Sequence, residues 1–281
     1  MRRLAMVLAV AAAVVALTGS AVAQTRVSIW DKIQSSGVMT AGVMVENRPG
    51  VWKDVTTGKY HGFYVNIARA IGEDLSKAMG KSIQVEFVET TWTTVVLDLQ
   101  SAKIDLWSGM SVTPQRLQAL DMAGPMYELA HCYLNRRGLE GLKTWDDYSK
   151  PEMKIAVVTG TSDEKAVQEL SPNATLLSFK DMSQTILAVQ AGRADALGTS
   201  VLTCLDFKKR NPDLGRIIFP TPIRSLPSSA GMRKDGDGRL HKFVQAWAEK
   251  SRASGLTKKL IVDALREAGL NPDDLPGEFS F

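Results

Sequence analysis

Short β-rich runs alternate with amphipathic helical segments along nearly the whole chain, and the series restarts near its middle. No other feature restricts the fold as much, because strands followed by covering helices build βαβ units around a mainly parallel sheet. Val38 to Val45 reads as a strand and Tyr64 to Met79 as a helix, with Ile67, Ile71 and Leu75 on one face and Gly80 as its stop. Ile83 to Val88 is the next strand and Thr93 to Ala102 the next helix. Ile104 to Ser108 is a strand that runs into a turn at Gly109. From Met153 the order begins again: strand Lys154 to Val158, a Gly160-Thr161-Ser162 turn, and a helix from Asp163 to Leu170. Strands at Thr175 to Phe179, Asp195 to Gly198, Arg216 to Phe219 and Ser229 to Arg233 follow, with helices between and after them. Pro220 to Pro227, with three prolines, reads as an extended connection. The fold class is α/β, and the repeated series suggests two similar lobes facing a shared cleft.

Residues 1–23 read as a secretory signal peptide, since Arg2 and Arg3 precede an apolar run from Leu4 to Leu17 and the small-residue pattern Ala21-Val22-Ala23 follows. That run falls short of the roughly 20 residues a spanning helix requires. Cleavage leaves Gln24 first and 258 residues, and no cysteine nearby invites a lipid anchor, so a soluble periplasmic product is expected. Without Arg2 and Arg3 the chain has 32 basic and 30 acidic residues, which gives nucleic-acid binding no support. Cys132 and Cys204 are the two cysteines. An oxidising compartment permits their disulfide, and two buried thiols are the alternative. His61, His131 and His241 are scattered, so neither a metal nor a cofactor is expected.

Two helix starts carry chemistry. Thr113 suits an N-cap and Pro114 the first helical position, which places Arg116 in the first turn beside unpaired backbone N–H groups. Such a start attracts anions, and a guanidinium there adds a carboxylate clamp, although composition alone favours reading Arg116 as an ordinary surface arginine. Gly160-Thr161-Ser162 opens the second start. Lys208-Lys209-Arg210 reads as a solvated helix end.

At this level of detail the chain resembles the family 3 extracellular solute-binding proteins, the amino-acid type of the two-lobed periplasmic fold. The likeness rests on Gly62-Phe63-Tyr64-Val65-Asn66-Ile67-Ala68, on Gln100 to Leu106, and on Gly109-Met110-Ser111-Val112-Thr113-Pro114-Gln115-Arg116. Gly160-Thr161-Ser162 and Ala191-Gly192-Arg193-Ala194-Asp195-Ala196 complete it. The resemblance implies two Rossmann-like lobes joined by a two-strand hinge, one formed by residues 24–130 with 228–281 and the other by 131–227. It implies that Arg116, with the backbone around Gly109, Met110 and Ser111, grips a small ligand's carboxylate while Thr161 and Ser162 approach on closure. Trp92 falls at a pocket wall and Trp52 near the aromatic that covers the ligand, each also readable as core. The implied partner is the permease of an ABC importer, and the protein is expected to act as a monomer.

The departures bear on the ligand. The acidic residue that pairs with the ammonium in the family's α-amino-acid binders is replaced by Ser200, and no Asp follows the first strand's glycine, so the usual counter-charge is absent or displaced to Glu46, beside Asn47. Burying an uncompensated ammonium costs several kcal/mol, so a non-amino organic acid is an open alternative. A periplasmic cyclohexadienyl dehydratase shares the pattern, but Thr199 to Thr203 carries no carboxylate where that enzyme's acidic cluster lies, so the chain reads as a binder.

Overall fold

In the computed structural model, residues 27–45 and 47–275 are described; the leader read at 1–23 and Glu46 lie outside them. Helix α1 (Ile29–Ser36) starts at Ser28, whose hydroxyl accepts from the Asp31 N–H, and precedes β1 (Val38–Val43). A short hairpin, β2 (Trp52–Lys53) and β3 (Tyr60–His61), leads to α2 (Phe63–Met79) and β4 (Gln84–Glu89), which pairs in parallel with β1. Then come α3 (Val95–Gln100), β5 (Trp107–Ser111), α4 (Pro114–Ala119) and the 16-residue β6 (Leu120–Asn135). The second series is α5 (Trp145–Tyr148), β7 (Lys154–Val158), α6 (Ser162–Leu170), β8 (Thr175–Phe179), α7 (Met182–Gln190), β9 (Ala196–Ser200), α8 (Val201–Arg210) and β10 (Ile217–Ile218). The chain returns through β11 (Ser225–Arg233) to α9 (Arg239–Ala253) and α10 (Leu256–Glu267).

Strand β6 belongs to both lobes. From Leu120 to Ala130 it pairs antiparallel with β11, which pairs in turn with β5. From His131 onward it pairs with β9, which continues in parallel through β7 to β8, and Tyr133 and Leu134 also pair with β10. The partner change at His131 is thus the seam between the lobes. Here lies the largest departure from the sequence reading, which found no strand over 120–135. Asp121, Gly124, Pro125 and Glu128 interrupt the apolar alternation by which a strand is recognised. Strand β11 also starts earlier than expected, at Ser225. Pro227 has no N–H to give the ladder, but its carbonyl accepts from Val112.

Packing follows the two series. One core gathers Ile67, Ile71 and Leu75 of α2, as their spacing indicated, with Met39, Val43, Leu99, Trp107, Val244 and Ile261. Each fully buried aliphatic side chain there contributes about 1.5–3 kcal/mol relative to exposure. In the second lobe, side chains alternate across the sheet: Cys132, Leu134, Ala156 and Val158 enter one cluster, while Tyr133, Ile155 and Val157 enter another on the opposite face. Both faces are covered, so β7 reads as a continuous apolar run. Cys132 of β6 and Cys204 of α8 form a disulfide across 72 residues, which the sequence had left open. Among the described residues no helix is long and apolar enough to cross a membrane.

Candidate functional site

Two helix starts on opposite lobes meet. In α4 the Thr113 hydroxyl accepts from the Arg116 N–H at 3.3 Å with Pro114 in the first turn, as the sequence indicated. The side chain of Arg116 turns inward and is only 6% exposed. Its Nη1 donates to the Ser111 carbonyl at 2.9 Å and its Nη2 to the Gly160 carbonyl of the other lobe at 3.5 Å. The guanidinium carbon stands 5.5 Å from the Trp92 ring centroid, a cation–π arrangement. Burial pulls the Arg116 pKa below its ordinary value, yet an arginine stays charged. The site therefore holds a desolvated cation whose hydrogen-bond partners are backbone carbonyls.

Facing it, α6 starts at Thr161, whose hydroxyl accepts from the Glu164 N–H at 3.0 Å. Across the gap Ser162 Oγ donates to Ser111 Oγ at 3.0 Å, and Lys165 Nζ donates to Gln115 Oε1 at 2.6 Å. Gly160 makes this approach possible. Its φ is +81°, and a Cβ there would sit 3.2 Å from the Trp92 carbonyl oxygen.

Between the lobes lies a cavity of about 40 Å³, room for a few water molecules. Asn47, Trp92, Met110, Ser111, Thr161, Ser162 and Ser200, all named from the sequence, line it. Arg116 flanks the cavity through Ser111 and Trp92 rather than lining it. Gly109 is also behind the wall: it lies inside β5 instead of in the expected turn, its carbonyl accepts from Trp107 Nε1, and a Cβ would stand 2.2 Å from the Tyr127 hydroxyl. Trp52 is elsewhere. Hairpin pairing with His61 stacks the two rings 5.6 Å apart, under the Arg48 guanidinium at 4.5 Å.

The sequence reading missed a polar pair on the second lobe's wall. His131 Nδ1 lies 2.6 Å from Asp163 Oδ1, and Thr199 Oγ1 donates to Asp163 Oδ2 at 3.5 Å. Both residues line the cavity, and the buried His131 Nε2 has no hydrogen-bond partner among the described residues. Asp163 was within reach of sequence reasoning, since it stands in the first turn of a helix start already singled out. His131 was not, because its strand went unrecognised. Tyr64 of the first lobe also lines the cavity, and burial pushes its pKa up to about 12. The Asp163 charge adds to that shift and the Arg116 charge opposes it, so both charges act on the same ring.

Known proteins with related chains share this architecture. An ABC transporter glutamine-binding protein of Bacillus subtilis is 24% identical over 236 residues, 84% of either chain. A probable histidine-binding protein of Campylobacter jejuni is 32% identical over 143 residues, 50% of this chain and 54% of the relative. Among solved structures, an ancestral amino acid-binding protein that is a precursor of cyclohexadienyl dehydratase superposes with a TM-score of 0.73 at 28% identity, covering 84% of this chain and 98% of that one. A solute receptor for L-cysteine of Neisseria gonorrhoeae, at 23% identity, shares the fold with a TM-score of 0.77 over 90% of this chain and all of that one. The model of the bacterial extracellular solute-binding proteins, family 3, matches residues 39–263, and the chain belongs to that family.

Proposed function

We propose that this protein captures a small carboxylate-bearing solute, an amino acid or close relative, between its lobes in the periplasm and delivers it to the inner-membrane permease of an ABC importer. The observation that carries the reading is Arg116: a buried guanidinium, partnered by backbone carbonyls of both lobes, at a helix start beside the inter-lobe cavity. A desolvated cation in that setting gains most from an anion, and a carboxylate fits its donor fork. The cavity as it stands admits only a few waters, so a solute enters when the lobes part and is enclosed when they return. Relatives named for glutamine and histidine support an amino acid as the class.

Arg116→Ala tests this. Thermal stabilisation by a panel of the twenty L-amino acids, which follows RT ln(1 + [L]/Kd), falls away in the variant, and affinity drops at least about 100-fold, or about 2.7 kcal/mol. Undiminished stabilisation would exclude Arg116 as the carboxylate clamp. A second reading, a lyase acting on a cyclohexadienyl acid, draws on the hydrogen-bonded His131–Asp163 pair in the cavity; turnover of such an acid by the purified protein would decide for it.

A further inference from the structure

The cavity is polarised. Arg116 Nη2 reaches the Gly160 carbonyl, and Asp163 follows three residues later on the same helix start, so a chain segment of at most roughly 10 Å separates the two points. Charges of opposite sign therefore flank one small space. A dicarboxylate would meet repulsion at Asp163, and a diamine would meet it at Arg116. A carboxylate and an ammonium on one carbon, each with a charge-assisted hydrogen bond of about 2.8 Å, fill such a span.

The surroundings of Asp163 favour a donor as its partner. His131 Nδ1 occupies Oδ1 at 2.6 Å, whereas among the described residues Oδ2 has the 3.5 Å contact from Thr199 alone and retains lone pairs. A proton on Nδ1, directed at Asp163, leaves His131 Nε2 as an acceptor, and that atom is buried without a partner in a cavity-lining side chain. Ser200, opposite His131 in the β6–β9 register, shares its hydroxyl with Thr203 at 3.1 Å and brings no charge. We infer that Asp163, oriented by His131, receives the positively charged nitrogen of the ligand, so that the protein selects zwitterionic α-amino acids over acids that lack the amine. The inference rests on the reading of Arg116 as the carboxylate clamp.

The test takes the L-amino acid of the panel that most stabilises the wild-type protein, together with the same acid lacking its amine, and measures both by calorimetry. Asp163→Asn weakens the amino acid about 50-fold and leaves the deaminated acid within about threefold. Adding Ser200→Asp to that variant restores at least tenfold of the loss, because the new carboxylate stands opposite His131. His131→Gln weakens the amino acid less than Asp163→Asn does, and circular dichroism melting confirms that each variant is folded. If Asp163→Asn does not fold, His131→Gln and Asp163→Ser are measured on the same two ligands.

Equal losses for both ligands would overturn the inference, as would an unchanged amino-acid affinity or transfer of the selective loss to Glu46→Gln. A wild-type protein that prefers the deaminated acid would overturn it while leaving the carboxylate clamp standing. A wild-type protein that no amino acid of the panel stabilises would overturn both.

Discussion

Arg116 and Asp163 border the same cavity from opposite lobes, yet the chain has prepared them differently. Arg116 is desolvated among carbonyl oxygens and an indole; burial lowers its pKa, the Asp163 charge opposes that only in part, and no carboxylate is hydrogen-bonded to it among the described residues. Asp163 is already satisfied in part, by an imidazole at 2.6 Å and by a longer contact from the Thr199 hydroxyl. An uncompensated group gains more from its ligand than a partnered one. On the proposed reading, the carboxylate end is expected to carry most of the affinity and the amine end the discrimination.

The lobes differ in how they are held as well. The first has one continuous core built on α2, α9 and α10, whereas the second is divided by its own sheet into two smaller clusters with Cys132–Cys204 inside one of them. The largest effect that sharpens this contrast is expected from replacing both cysteines with serine. A 72-residue loop is released, and stability falls by about 4 kcal/mol on the chain-entropy account, measured by urea unfolding. Amides of β7 and β9 then lose exchange protection before those of α2; simultaneous loss in both lobes would break the contrast.

A smaller effect follows from Ser162→Ala, which removes the 3.0 Å hydrogen bond to Ser111 across the cleft. Affinity weakens by about 0.5–1.5 kcal/mol through easier reopening, seen as a faster dissociation rate in stopped-flow experiments. Least of all is expected from Trp52→Ala. Its ring packs on His61 and under Arg48 rather than along the cavity, so ligand affinity stays within about twofold. A larger loss would return Trp52 to the role its position in the sequence suggested.

Much of the frame was legible because periodicity and capping are local. The α2 face, the Thr113-Pro114 start and the restart at β7 follow from residues a few positions apart, and the structure places them as expected. What escaped was non-local. Strand β6 carries Asp121, Gly124, Pro125 and Glu128 along the stretch that pairs with β11, and they break the alternation by which a strand is read. With it went His131, and with His131 the pairing that gives Asp163, already in the first turn of a recognised helix start, its place in the site. The Cys132–Cys204 bond depends on a distance between β6 and α8 that spacing along the chain does not reveal. Trp52 misled in the opposite sense, because a cross-strand partner, not its neighbourhood in sequence, decides where its ring lies.

Trp92 stands with one side near the Arg116 guanidinium and its ring edge-on to Trp107 at 5.5 Å, and of the chain's six tryptophans it alone is among the cavity-lining residues described. An excited indole responds to the electric field around it. A carboxylate that settles on the guanidinium cancels part of that field within a few ångströms of the ring, so occupancy of this protein is written into its own ultraviolet emission, and a titration needs no dye.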